Sequence, residues 1–196
     1  GLITQKLEEL DLAQDTILIF SSDNGGETNV TSNAPLRGGK SQLYEGGIRV
    51  PLIVRWPGKI SGGTTSSQPT VNVDFYPTLL EAAKVNPDKA QKLDGVSTLA
   101  NWTNPKATSK RDAIYWHYPL EKPHFLGGIS GGAIRAGDWK LIESFDTGKV
   151  ELYNLAKDVG EKNNLAKKQP KLAERLQSQL VAWRKTVGAT KEPPRR

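Results

Sequence analysis

The chain has no cysteine and no methionine among its 196 residues, and only two histidines. Without cysteine there is no disulfide, no zinc–thiolate centre and no thiol nucleophile within these residues. The missing methionine includes the first position. The chain opens Gly1-Leu2-Ile3-Thr4 and runs straight into an amphipathic pattern, with no leader of the secretory type. That opening reads as an internal point of a longer protein. Long apolar runs are missing as well: none approaches the roughly 18 residues a membrane span requires, so no membrane partner is expected. No phosphate loop, dinucleotide fingerprint or Ser-His-Asp arrangement is present.

What is present is ordinary for a soluble globular chain: 36% hydrophobic and 24% charged residues. The length suits one large domain or two small ones. The net charge of +6 is concentrated at one end. Lys167 to Arg196 holds nine basic residues against two acidic ones. No nucleic-acid-binding motif accompanies that charge, so it reads as a solvated helix face with a loose tail beyond Thr190, and no nucleic-acid partner is expected. The sequons Asn29-Val30-Thr31 and Asn101-Trp102-Thr103 matter only in a glycosylating cell.

Apolar periodicity predicts a helix over 1–10. Ile17 to Phe20 is a continuous apolar run ending in Ser-Ser-Asp-Asn-Gly-Gly, which suits a strand buried on both faces. Helix, short link and buried strand point to an α/β class with a parallel or mixed sheet and flanking helices. Residues 24–49 are rich in Gly, Asn and Ser. A loop that long inside a compact domain is usually functional. Val50 to Trp56 is a second strand. Asp74 is placed to cap a helix running to about Lys84, and residues 86–110 read as mostly irregular. A domain boundary is expected near Pro105, giving 1–105 and 106–196. In the second part, short strands at Ala113–Tyr118, Gly132–Arg135, Trp139–Glu143 and Lys149–Asn154 alternate with turn signals and fit an antiparallel meander. Pro170 opens a helix with Leu172, Leu176, Leu180, Trp183 and Val187 on one stripe, and Gly188 ends it. This helix is expected to cover one face of the small sheet.

Five residues are candidates for chemistry. Asp23 and Asn24 follow the first strand directly, and ligands of open α/β sheets bind beyond the carboxyl ends of strands. A carboxylate beside an amide oxygen offers the hard donors that calcium or magnesium takes. The same Asp-Asn-Gly run also makes an Asx turn, the plainer local reading. Lys40, after Gly38-Gly39, is free to approach a sulfate or phosphate oxygen, or to be a solvated loop lysine. Glu45 and Arg49 flank Gly46-Gly47 and read as a structural ion pair. His117 in Tyr-Trp-His-Tyr-Pro and His124 in a loop suit a sugar-binding site as well as plain packing.

The series Ser22-Asp23-Asn24-Gly25-Gly26, Leu36-Arg37-Gly38-Gly39-Lys40 and Tyr44-Glu45-Gly46-Gly47-Ile48-Arg49-Val50-Pro51 resembles the sulfatase family in order and spacing. The likeness continues through Asp74-Phe75-Tyr76-Pro77-Thr78-Leu79-Leu80, Leu93-Asp94-Gly95-Val96-Ser97, Ala136-Gly137-Asp138-Trp139-Lys140-Leu141-Ile142 and Glu151-Leu152-Tyr153-Asn154-Leu155. It implies the end of an alkaline-phosphatase-like sheet with flanking helices, followed by a small antiparallel sheet with one packed helix. It also implies sulfuric ester hydrolysis, with Asp23 and Asn24 as ligands of calcium (magnesium being the alternative) and Lys40 on the sulfate. The Trp-His-Tyr-Pro stretch looks most like members acting on sulfated sugars, which makes His117 and His124 substrate-binding candidates and a sulfated small molecule or carbohydrate the partner. The family's nucleophile is a formylglycine in a Cys/Ser-x-Pro/Ala-x-Arg motif. That motif lies upstream in the family and is absent here. The resemblance thus makes the amino-terminal part of the same protein a partner, the isolated chain inactive, and the compartment periplasmic or extracellular. The alternatives are a phosphodiesterase or phosphonate hydrolase of the same superfamily, or a non-catalytic fragment.

Overall fold

The computed structural model describes residues 1–108 and 111–191, so most of the expected loose tail lies outside the described residues. By internal contacts the chain divides into two compact units that are interleaved in sequence. The first comprises Gly1–Ser21 and Leu52–Arg111; the second comprises Ser22–Pro51 and Asp112–Arg196.

The first unit contains helix α1 (Leu2–Glu9), strands β1 (Leu18–Ser21) and β2 (Leu52–Arg55), and helices α3 (Phe75–Ala82) and α4 (Leu99–Thr103). β1 and β2 pair antiparallel, with Ile19 opposite Val54 and Phe20 opposite Ile53. The apolar run of β1 had suggested burial on both faces, yet Phe20 and Ile53 are each 61% exposed. The faces of a sheet are buried by layers packed on it, not by neighbouring strands, and within the described residues little lies over Phe20 and Ile53. The irregular reading of 86–110 missed α4, a single turn in which Asn101 is buried and its Nδ2 donates to Ala107 O at 2.6 Å. The Asn101 sequon is therefore closed in this fold.

Asp74 stands at the start of α3, but its side chain makes no capping bond there. It is fully buried and accepts from the Val71 N–H at 2.9 Å and the Val96 N–H at 3.0 Å, and it is ion-paired with Arg111. Its neighbour Thr78, also buried, donates to Asp74 O at 2.6 Å. The expected cap is instead a buried hub that pins the loop at 95–98 to the helix.

The second unit is organised by a meander of β3 (Ile114–Tyr118), β4 (Gly131–Ala136), β5 (Trp139–Ser144) and β6 (Val150–Asn154), all antiparallel and in sequence order. Side chains alternate across a strand, and this sheet uses both faces. Ile134, Leu141 and Leu152 stack across the strands and pack on Ala173, Leu176 and Leu180 of helix α5 (Pro170–Thr186). Ala133, Ile142 and Tyr153 face the other way and pack with Leu155, Leu43 and Tyr44. The helix therefore covers one face, as its stripe implies, and the Gly-rich loop of 22–51 covers the other. Within that loop lies a further short helix, α2 (Glu45–Ile48).

The stripe of α5 departs from expectation at its last turn. Val187 is 45% exposed, whereas Arg184 is buried. Arg184 Nη1 meets Glu143 Oε2 at 2.8 Å, and Lys191 Nζ meets Glu143 Oε1 at 2.7 Å. Burial pushes the Glu143 carboxyl up, but Lys191 and Arg184 outweigh burial and hold it below the ordinary glutamate value.

Two outcomes follow from this packing. Leu176→Ala empties a fully buried site and should cost about 2–5 kcal/mol in denaturant unfolding, whereas Val187→Ala should stay within about 0.5 kcal/mol. Because folding lowers the Glu143 pKa, its contribution is complete above the unfolded value and is lost as pH falls through the folded one. Thermal melts across the acid range should fall more steeply for the parent protein than for Glu143→Gln.

Candidate functional site

Asp23, Asn24 and Lys40 all belong to the second unit and are held by one backbone framework. After Ser22 the chain bends, and Ser22 Oγ donates to Asn24 O at 2.9 Å. The Asp23 carboxylate accepts from Asn24 Nδ2. The bend is thus closed by the serine hydroxyl, leaving the Asp23 and Asn24 head groups together at the surface. An Asx turn would instead have the Asp23 carboxylate bound to a backbone N–H two residues on.

The next two glycines tie this bend to the rest of the loop. Gly25 N–H donates to Gly47 O at 2.9 Å, and Lys40 N–H donates to Gly26 O at 3.1 Å. Asn33 completes the clasp. Its Oδ1 accepts from Gly26 N–H at 3.0 Å, and its Nδ2 donates to Gly26 O at 2.8 Å and to Gly38 O at 3.0 Å. The backbones approach so closely that side chains have no room. A Cβ on Gly25 would sit 1.7 Å from Gly46 O, and one on Gly46 would sit 2.2 Å from Gly38 O. This close approach explains why the loop is written in glycine. Lys40 itself is exposed, and no hydrogen bond or ion pair engages its ammonium among the described residues.

The loop is anchored to the free face of the meander by two polar clusters. In the first, Arg37 Nη1 donates to Tyr153 Oη and to Glu161 O, both at 2.9 Å, and its guanidinium lies over the Tyr44 ring at 3.8 Å. Tyr44 and Tyr153 both donate to Glu151 Oε2, at 2.9 and 2.7 Å. Burial, reinforced by Glu151, pushes the Tyr44 hydroxyl up to about 12, so it stays a donor throughout the neutral range. In the second cluster, Lys140 Nζ meets Glu45 Oε1 at 2.9 Å and Glu161 Oε1 at 2.8 Å. Glu161 Oε2 accepts from the Glu45 N–H at 2.6 Å. All three side chains are buried. Burial raises the Glu161 pKa, with Lys140 pulling against it. The Glu45–Arg49 ion pair expected from sequence forms at 3.8 Å, with Arg49 half-exposed, and Lys140 is the closer partner of Glu45. Lys140 was not legible as that partner, because in sequence it is one more alternating residue of a strand.

The histidines separate. His117 lies in β3 against the Phe145 ring at 5.3 Å, with Nδ1 buried and without a hydrogen bond. His124 stands in the loop before β4, where its Nδ1 accepts from Leu126 N–H at 3.2 Å and its ring stacks on Phe125 at 4.5 Å. That loop is fastened to the Gly-rich loop by Gln42 Nε2, which donates to Leu126 O at 2.7 Å. The structure therefore packs the His124 loop against Ser41 and Gln42, with Phe125 84% exposed. No described contact joins His117 to Asp23, Asn24 or Lys40.

As a cation site the pair fits in part. A carboxylate and an amide oxygen are hard donors suited to calcium, but calcium takes six to eight oxygens. Among the described residues no group of three or more His, Cys, Asp or Glu is placed to hold a metal. Asp23 and Asn24 have the chemistry of two ligands in a larger shell.

A family model described as N-sulphoglucosamine sulphohydrolase, C-terminal, matches residues 39–186. A sulfatase of Formosa agariphila is 37% identical over 88% of this chain and 33% of its own length. An N-acetylglucosamine-6-O-sulfatase of Bacteroides thetaiotaomicron is 33% identical over 90% of this chain and 32% of its own length. A solved structure in complex with its substrate, D-glucosamine-2-N,6-O-disulfate, superposes with a TM-score of 0.78 at 32% identity, covering 94% of this chain and 37% of that one. The phosphonate monoester hydrolase of Agrobacterium radiobacter shares the fold at a TM-score of 0.70 and 26% identity, over 95% of this chain and 38% of that one. The chain spans about a third of the length of the curated relatives it matches.

The framework makes a direct forecast. Gly25→Ala places a methyl group inside the Gly46 carbonyl and must part the two strands of loop. Amide hydrogen exchange at Lys40 and Gly47 should speed up, while the α5-covered core strands keep their protection.

Proposed function

Because the chain belongs to the sulfatase family, we propose that the protein carrying it hydrolyses the sulfate ester of a carbohydrate, and that this chain supplies cation ligands and a sulfate-binding lysine to that site. The observation that supports it is the framework linking Gly25 to Gly47 and Lys40 to Gly26, which holds a hard-oxygen pair and an unengaged ammonium on one loop. Asp23 and Asn24 would hold calcium, with magnesium as the alternative, and the cation would supply positive charge opposite the sulfate oxygens. Lys40 would bind and orient the sulfate and offset the negative charge on its oxygens in the transition state. The family's formylglycine nucleophile and the remaining ligands would come from outside these residues. By itself, then, the 196-residue chain is expected to be inactive.

A sugar is supported by a relative named for an amino-sugar sulfate and by a solved structure whose substrate is D-glucosamine-2-N,6-O-disulfate. The His124–Phe125 tip suits such a substrate: an exposed ring stacks on the apolar face of a sugar, and an imidazole hydrogen-bonds its hydroxyls. Both histidines remain substrate-binding candidates on this reading: the Nδ1 of His124 is engaged by the Leu126 N–H, and that of His117 is buried.

The test is made in the complete protein. Lys40→Ala should lower kcat by about a hundredfold with little change in melting temperature. Asp23→Ala should abolish calcium binding measured by calorimetry. A normal rate for Lys40→Ala with a lowered melting temperature would make Lys40 structural. Preference for a phosphonate ester over a sulfate ester in the parent protein would transfer the reading to the phosphonate hydrolases.

A further inference from the structure

We propose that Glu45, Lys140 and Glu161 are positioning residues for the site: their buried ion cluster fixes α2 against the meander and thereby sets where the Asp23–Asn24 pair lies relative to Lys40. The inference rests on the site reading above, and it concerns residues that touch neither cation nor sulfate in that reading.

The path is short and continuous. Lys140 projects from β5 on the face opposite α5, because its cross-strand partner Tyr153 shares that face. Its ammonium grips Glu45, the first residue of α2, and Glu161, which also accepts the N–H of Glu45. Glu45 is thus held at both side chain and backbone, which fixes the start of α2 in place and direction. The two residues that follow carry the framework. Gly46 N–H donates to Arg37 O at 2.7 Å, setting the start of the Lys40 arm, and Gly47 O accepts from Gly25 N–H at 2.9 Å, setting the Asp23–Asn24 arm. One residue of α2 therefore governs each arm of the site, and both hang from Glu45.

A purely structural cluster would not need to stand there. Buried ion clusters are often no more stabilising than apolar residues of equal volume. Their geometric demand is strict, however, since each donor and acceptor must meet its partner in a fixed direction. Leu43 and Tyr44 already give this part of the loop apolar contact with the sheet. What the ions add is direction at the residue next to Gly46 and Gly47. Groups that orient ligands from behind typically change metal affinity or activity by about 10–100-fold when altered.

The experiment compares Glu45→Gln, which keeps size and an acceptor but removes the charge, with Lys140→Met and Asp23→Ala, all in the complete protein. Three quantities are read: amide exchange at Gly25 and Lys40, calcium affinity by calorimetry, and kcat with KM. For Glu45→Gln we expect faster exchange at both amides and calcium affinity and kcat lowered by about tenfold, with KM nearly unchanged and the protein folded. Lys140→Met should act in the same direction and more strongly. Unchanged exchange at Gly25 and Lys40 in folded Glu45→Gln would overturn the proposal. So would faster exchange with unchanged calcium affinity and kcat, because the cluster would then hold the loop without serving the site. If Asp23→Ala kept full calcium affinity, the site reading itself would fall, and the positioning role with it.

Discussion

A lysine with no access to water, held between two glutamates, is the constraint on which the second unit depends. Removing Lys140, Glu45 and Glu161 from solvent is costly for each ion, and mutual attraction offsets that cost only when every contact is made. The cluster therefore behaves as all-or-none: the Gly-rich loop either docks with Glu45 on Lys140, or it leaves buried charge unpaired. Arg49, at 3.8 Å from the second oxygen of Glu45, brings the cationic and anionic groups of the cluster to equal number. Glu161 reaches its place with a φ of 50°, the left-handed region that non-glycine residues seldom adopt. In that conformation its carboxylate meets Lys140 and the Glu45 N–H, and its backbone carbonyl accepts from Arg37.

The loop needs such an anchor because it has so little else. It contains one short helix and much glycine, which loses more conformational freedom on ordering than any other residue. Among the described residues, Leu43 and Tyr44 are the loop side chains packed on the buried cluster of the sheet face that the loop covers. The other face of the same sheet is conventional, with Leu176 and Leu180 of α5 fully buried against Ile134, Leu141 and Leu152. One meander thus supports a hydrophobic layer that supplies stability and a polar layer that supplies position. Close glycine packing can then bring two stretches of backbone together, as at Gly25 and Gly46, and leave Asp23, Asn24 and Lys40 pointing outward from a fixed base.

The same arrangement suits a family in which substrates differ and the reaction does not. The residues proposed for cation and sulfate lie on the glycine framework, where almost any side chain added to Gly25, Gly46 or Gly47 would meet backbone. The His124–Phe125 tip lies on a separate loop joined to that framework by the Gln42 side chain and close backbone packing at Gly128. On the proposed reading, discrimination among sugars would reside on this loop, apart from the framework that carries Asp23, Asn24 and Lys40.

The sequence determined those parts whose causes are local. Alternation and turn residues marked the four strands from Ile114 to Asn154, and the period of Leu172, Leu176 and Leu180 marked α5, because both patterns need only a few neighbouring residues. The Asp-Asn-Gly-Gly run and the Gly-Gly-Lys run were legible for the same reason, as was the family they resemble. The tertiary structure alone decided what lies across the sheet from α5, and why Arg184 is buried where Val187 was expected. It also decided the partner of Glu45. Arg49 is four residues away and looked sufficient, whereas Lys140 is 95 residues away and Glu161 is 116. A charge in a strand reads as solvent-facing until something covers that face, and the loop that covers Lys140 has no periodicity by which its docking could be foreseen.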